Sequence, residues 1–256
     1  MKILIVNDDG YSAAGINALA RALQYDNEVF VCAPRENKSA AGHSLTLRHD
    51  LTATRTMLPG CPFVKAYFVD GTPVDCLRLA IGNLGSEPEL VLSGINQAPN
   101  LGTDIISSGT VAAANEAAML GYRAIAVSRD GFDTEYFDDC AEVFRDMLPE
   151  LLACMDEKSH LLNVNFPHCR KADYKGVRTG YLALQEYPIP FEERMGENGE
   201  ILYRARSVKL TALPENDTSD AKFVRDGFIT VTPLIFDHTD YSRMAKIAPV
   251  LERNWV

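Results

Sequence analysis

Apolar residues come in short dense runs separated by polar, glycine-bearing loops, and two kinds of run alternate. Residues 3–6 (Ile-Leu-Ile-Val) are wholly apolar and mostly β-branched, the pattern of a strand buried on both faces of a parallel sheet. Residues 15–23 carry Ile16, Leu19, Ala20 and Leu23 at helical spacing, and residues 28–33 form a second buried strand closed by Pro34. Strand, helix, strand opens a right-handed crossover between parallel strands. The same pattern predicts strands at 63–69, 89–92, 123–128 and 160–165, with shorter ones at 45–47 and 51–56. Thr72, Pro73 and Asp75 have the order of a helix start, in which Thr72 caps and Asp75 reaches back to it. Two further helices are expected at 111–120 and, long and amphipathic, at 134–155. Strand-like runs at 177–184, 201–210 and 227–234 complete the chain, and helical periodicity returns only in the final residues.

This alternation predicts an α/β chain with a mostly parallel sheet over residues 1–185. Beyond that point prolines, Glu192, Glu193, Arg194 and the 196–199 turn break the pattern. Residues 186–256 are therefore expected to form a β-hairpin arm with a terminal helix. With too few apolar positions for a core of their own, they would pack on, or exchange with, another subunit.

Composition narrows the function classes. Of 256 residues, 25 are basic and 35 acidic, giving a net charge of −10. Counterion release needs a basic face, so no nucleic-acid polymer is expected as partner. No apolar run approaches the ~20 residues that span a bilayer, and the opening strand leads straight into acid rather than a cleavage site. No membrane association is expected, and the location expected is cytoplasmic. The six cysteines lack Cys-x-x-Cys spacing and the five histidines lack His-x-x-x-His spacing, which argues against zinc and against a disulfide framework. Neither a dinucleotide glycine fingerprint nor a P-loop is present.

The candidate chemistry lies in the loops. Asn7-Asp8-Asp9-Gly10 follows the first strand, where open α/β sheets place their ligands. All four residues favour turns, but two adjacent carboxylates repel unless a cation lies between them. The polar 34–44 loop leaves the neighbouring strand and brings Arg35, Asn37, Lys38 and Ser39 towards that pair. A long loop at 93–110 carries Asn96 and ends in Ser107-Ser108-Gly109-Thr110 before an alanine-rich helix. One hydroxyl would suffice as a cap. Three around a glycine, with free N–H groups and the helix dipole, suit an anion such as phosphate. Carboxylates, neutral oxygens and a phosphate together make a set that suits a magnesium-like ion.

These motifs, collinear over residues 1–130, resemble the SurE family of stationary-phase survival proteins. The resemblance is carried by Asn7-Asp-Asp-Gly10, Pro34-Arg-x-Asn-x-Ser39 with Ser44-Leu-Thr-Leu47, Gly71-Thr-Pro-x-Asp-Cys76, Ser93-Gly-Ile-Asn96 with Pro99-Asn-Leu-Gly102, and Ser108-Gly-Thr-Val-Ala-Ala-Ala114. It continues more weakly through 163–167 and 226–234, and departs at Ser12-Ala-Ala-Gly15, at Gln97-Ala98 and over 186–226. It implies a three-layer α/β/α Rossmann-like fold with a β-rich C-terminal oligomerisation arm. It also implies a metal-dependent 5'-nucleotidase that hydrolyses nucleoside monophosphates, with 3'-nucleotides and short polyphosphate as further substrates. The implied metal ligands are Asp8, Asp9, Ser39 and Asn96 around one divalent cation, Mg or Mn, with Asp8 and Asp9 also catalytic. Asn100, Ser107, Ser108, Gly109, Thr110 and Lys38 would hold the phosphate. A homodimer or homotetramer is implied as the assembly. Two rivals belong to other classes: a non-catalytic nucleotide-binding regulator, and a receiver-like signalling module, for which no lysine follows the 123–128 strand.

Overall fold

The alternating runs become alternating strands and helices in the computed structural model, which describes residues 1–156, 160–184, 191–205 and 213–252. The chain passes through β1 (Lys2–Val6), α1 (Ala14–Leu23), β2 (Glu28–Pro34), β3 (Ala53–Thr56), β4 (Lys65–Val69), α2 (Pro73–Gly82), β5 (Leu90–Asn96) and α3 (Gly109–Met119). It continues through β6 (Arg123–Arg129), α4 (Phe137–Ala153), β7 (Leu161–Phe166), β8 (Val177–Arg178), β9 (Glu192–Met195), β10 (Ile201–Arg204), α5 (Asp220–Arg225), β11 (Ile229–Pro233) and α6 (Tyr241–Leu251).

Nine strands form one sheet in the order β3-β4-β2-β1-β5-β6-β7-β11-β8. From β4 to β7 every neighbouring pair is parallel, while β3 and β11 add antiparallel to the two flanks. The chain winds outward from β1 through β2 to β4, then returns and winds the other way through β5, β6 and β7. The order therefore reverses between β1 and β5, and the crevice above that switch point is the ligand position of doubly wound sheets.

The central strands β1, β2, β5 and β6 divide their side chains between two cores. Ile3, Ile5, Val29, Val31, Ile125 and Val127 pack under α1 and α4, with Phe144 fully buried among them. Leu4, Val6, Cys32, Val91 and Ala126 pack on the other side with Cys76 and Leu77 of α2 and Ala113, Ala114 and Ala117 of α3. The period of two along the strands thus gives the expected three layers.

Four local expectations are corrected. Residues 45–47 form no strand: the Thr46 amide and hydroxyl donate to Asp75 at 2.9 and 2.7 Å, and Thr72 donates to Ser44 O at 2.8 Å. The capping box of α2 therefore binds this segment and replaces a neighbouring strand. The 177–184 run pairs with β11 only over Val177–Arg178. Past it, Gly180 runs so close to α5 that an added Cβ would lie 2.7 Å from Asp220 N. The charged 192–195 segment is a strand, paired antiparallel with β10 apart from the main sheet. Strand β9 is exposed throughout, so no apolar alternation marks it, while β10 lies within the expected 201–210 run. Helix α5 was not foreseen, because six residues hold too few turns for periodicity to register. Residues 206–210 of the 201–210 run, and part of the arm boundary, lie outside the described residues.

Candidate active site

Asn7, fully buried, donates from Nδ2 to Gly10 O at 2.9 Å, and Gly10 turns with φ +99°. Tyr11 N then donates to Pro34 O at 2.9 Å, fastening the turn to the end of β2. Asn-Asp-Asp-Gly is thus a turn whose shape holds two carboxylates at the end of β1.

Asp8 is 3% exposed and faces the start of α3. The Thr110 hydroxyl donates to its Oδ1, and a Cβ on Gly109 would lie 2.8 Å from Asp8 Cβ. Only a residue without a side chain lets the helix start come so near. Burial raises the Asp8 carboxyl, opposed by the Thr110 hydroxyl and by backbone N–H groups including those of Thr110 and Gly109. Asp9 is less buried. Its Oδ2 accepts from Gln97 N at 2.9 Å and its Oδ1 from Asn37 Nδ2 at 3.3 Å. Burial, and after it repulsion by Asp8, push the Asp9 carboxyl up to about 6.

The loop after β2 joins them as expected. Lys38 N donates to Asp8 O at 2.6 Å, and Ser39 N to Asn37 Oδ1 at 2.8 Å, which places Ser39 beside the pair. Gly42 N donates to Ser107 O at 2.9 Å, and His43 Nε2 lies 2.7 Å from Glu116 Oε2, so the loop is tied along α3 as well. Arg35 takes another course, with its guanidinium 4.8 Å from the centre of the Phe68 ring.

Strand β5 reaches Asn96 through a register shift after Ser93. Gly94 has φ +141°, and a Cβ there would lie 2.1 Å from Val127 O. Asn96 is 6% exposed and its Nδ2 donates to Ala98 O at 2.7 Å. With the amide nitrogen committed, the oxygen is the atom left to serve a cation. Asn100 is the hub of a buried network. Its backbone N donates to Asn165 Oδ1 at 2.8 Å, its Nδ2 to Ser128 Oγ at 2.8 Å, and its carbonyl accepts from Asn163 and Asn165. Ser107 is exposed and donates to Asp104 O at 3.2 Å, whereas Ser108 accepts from Val111 N at 3.0 Å as the cap of α3.

Asp8, Asp9, Ser39, Asn96 and the start of α3 are therefore gathered at the switch point. Among the described residues no group of three or more His, Cys, Asp or Glu side chains is placed to hold a metal ion. A cation here would rest on two carboxylates and neutral oxygens, a hard set that suits Mg or Mn. The raised carboxyls of both aspartates fit such a group, since a positive charge would relieve their repulsion.

Gln97 and Asp220 were not singled out in the sequence. Gln97 enters the sequence reading only as a departure from the family pattern, and its bond to Asp9 is made by a backbone N–H that any residue but proline supplies. Asp220 is fully buried and accepts from Gly102 N at 2.8 Å and Ala183 N at 3.0 Å, bracing the loop that carries Asn100. Burial raises its carboxyl against those N–H bonds. It lies 118 positions from Gly102, and no local pattern announces that contact.

The fold is thus a doubly wound α/β sheet with a carboxylate pair set against a helix start at its switch point. The comparisons carry this further. The family described as "Survival protein SurE" matches residues 3–188. A relative named 5'-nucleotidase SurE from Alkaliphilus metalliredigens is 38% identical over 253 residues, covering 96% of this chain and 97% of its own. Another of that name, from Syntrophomonas wolfei, is 40% identical over 245 residues, covering 94% and 91%. The crystal structure of the SurE protein from Aquifex aeolicus superposes with a TM-score of 0.83 at 35% identity, covering 97% of this chain and 98% of that one. The chain belongs to the SurE family. No described helix is long and apolar enough to cross a membrane.

Proposed function

We propose that this protein is a metal-dependent 5'-nucleotidase that hydrolyses nucleoside 5'-monophosphates to nucleoside and phosphate. One observation carries the reading: two carboxylates, one almost fully buried, converge with Ser39, Asn96 and the start of α3 at the switch point. The names of the relatives at 38% and 40% identity supply the substrate class. Asp8, Asp9, Ser39 and Asn96 would hold one Mg or Mn ion, which when bound supplies Lewis-acid polarisation of a phosphate oxygen. Lys38, Asn100, Ser107, Ser108, Gly109 and Thr110 would lie about the phosphate and stabilise charge developing on its oxygens, with the Asn100 amide already donating to Ser128 and the Thr110 hydroxyl to Asp8. Asp8, packed against Gly109, anchors the site. Asp9 is the carboxylate that solvent reaches, and it orients the attacking water and takes its proton. The water oxygen bonds to phosphorus, the ester P–O bond breaks, and the nucleoside oxygen leaves and takes up a proton from solvent, to which Asp9 gives back the one it took. The same crevice admits 3'-monophosphates and short polyphosphate as minor substrates.

The test is phosphate release from a panel of 5'- and 3'-mononucleotides and short polyphosphates, with Mg, with Mn and with a chelator. Release from 5'-mononucleotides with either ion, and none with chelator, is expected. A chain that binds nucleotides yet releases no phosphate under any of these conditions is the non-catalytic regulator instead.

The arm (186–256) is proposed to join subunits into a dimer or tetramer. Helix α6 buries none of its residues and exposes Tyr241, Met244, Ile247 and Leu251 at helical spacing. An apolar groove between α4 and β7, β8 and β11, lined by Met147, Leu151, Leu162 and Val231, offers a matching surface. Light scattering is expected to give a dimer or tetramer, and Ile247→Glu is expected to shift it towards monomer. A monomeric wild type ends the proposal.

A further inference from the structure

The loop between β6 and α4 is built more rigidly than a surface connection needs. Asp130 N donates to Phe166 O at 2.8 Å. Gly131 turns with φ +104° so close to His168 that a Cβ would lie 2.6 Å from its Nδ1. Arg129, fully buried, lies with its guanidinium 4.6 Å from the centre of the Phe137 ring and donates from Nη2 to Asp133 O. Asp133 in turn meets Arg129 Nη2 at 3.2 Å and His168 Nε2 at 3.1 Å. Between these fastenings stands Phe132, 81% exposed.

Single exposed apolar side chains are ordinary on protein surfaces. Phe132 differs in what its backbone is tied to. Its carbonyl accepts from Gln97 Nε2 at 2.6 Å, and the backbone N–H of the same Gln97 donates to Asp9 Oδ2 at 2.9 Å. One residue thus bridges the aromatic position and a carboxylate of the candidate active site. The loop leaves the carboxyl end of β6, the strand beside β5, on the same edge of the sheet as Asp8, Asp9 and Asn96. Among the described residues of the loops at that edge, Phe132 is the large aromatic side chain that stands exposed; Tyr11, Tyr136 and Tyr174 are partly buried.

We propose that Phe132 is the nucleobase platform: its ring stacks on the flat face of the base while the phosphate lies at Asp8, Asp9 and the start of α3. The inference rests on the nucleotidase reading and adds to it the residue that contacts the base. Stacking is tolerant of base identity, because every base has a π-face. Fixing the loop beforehand removes the ordering cost that a mobile aromatic would carry.

The test is titration of the full-length protein with adenosine, a ligand the enzyme does not turn over, in the presence of Mg and inorganic phosphate. Phe132→Ala is expected to weaken adenosine binding about tenfold, the size of one base–aromatic stack. Phe132→Trp is expected to restore it. In parallel, the ratio of kcat/KM for adenosine 5'-monophosphate over ribose 5-phosphate is expected to fall by the same factor in Phe132→Ala. Unchanged adenosine affinity in Phe132→Ala, or no adenosine binding by the wild type, overturns the proposal. A wild type that binds adenosine through Phe132 but releases phosphate from neither ester leaves the platform standing and removes the nucleotidase reading.

Discussion

Asp9→Asn is expected to make the metal-free protein more stable while reducing phosphate release to background. Burial and the neighbouring Asp8 raise the Asp9 carboxyl from 3.8 to about 6 in the folded chain. Between those values the native state binds more protons than the unfolded state, so its stability falls as pH rises. Above about 6 the carboxylate is charged in both states and the full penalty applies. At about 1.4 kcal/mol per pH unit it amounts to at most about 3 kcal/mol. Asparagine removes the charge and keeps an acceptor for Gln97 N. Thermal melts in chelator should show the variant above the wild type at pH 7.5, with the gap closing as pH falls through 6 towards 4. Adding Mg or Mn should raise the wild-type midpoint and leave the variant unmoved, since only a species that binds the native state stabilises it. A variant no more stable than wild type at pH 7.5, or one that keeps its turnover, contradicts this account of Asp9.

The second large effect is expected from Gly109→Ala. A methyl group there meets Asp8 Cβ at 2.8 Å and Oδ2 at 2.9 Å, and neither atom can withdraw into the packed end of β1. Alanine is the better helix former, so propensity alone predicts a small gain in stability. Displacement of Asp8 is instead expected to lower kcat about a hundredfold, as misplacement near 1 Å does. Far-UV circular dichroism should stay that of the wild type. Gly82→Ala is the control, because a Cβ there meets nothing within 4 Å. Equal kcat in the two variants would show that the approach of α3 to Asp8 is not needed for turnover.

Physical reasons separate what the sequence made legible from what it hid. Strands β1, β2, β5 and β6 are buried on both faces, so each appears as an unbroken apolar run. Asp8, Asp9, Ser39 and Asn96 stand out as candidates because loops at the carboxyl ends of such strands are few and theirs hold unusual chemistry, and the fold brings these loops together. Strand β9 is exposed along its whole length and gives no such signal, whereas β10 falls inside the expected 201–210 run. Asp220 and Arg129 are charged residues whose burial depends on partners elsewhere in the chain, and composition ordinarily assigns such residues to the surface. The contact of Gln97 with Asp9 rests on where its backbone lies, which no side-chain pattern records.

The start of α3 has one further consequence. Thr110 and the amides there already serve a resident anion, the carboxylate of Asp8. An arriving phosphate therefore competes with the protein's own charge for the positive end of that dipole. Under the proposed function, electroneutrality would have the cation bound no later than the nucleotide, ahead of it or together with it. Free nucleotide should meet a closed electrostatic gate, and the nucleotide–cation complex an open one.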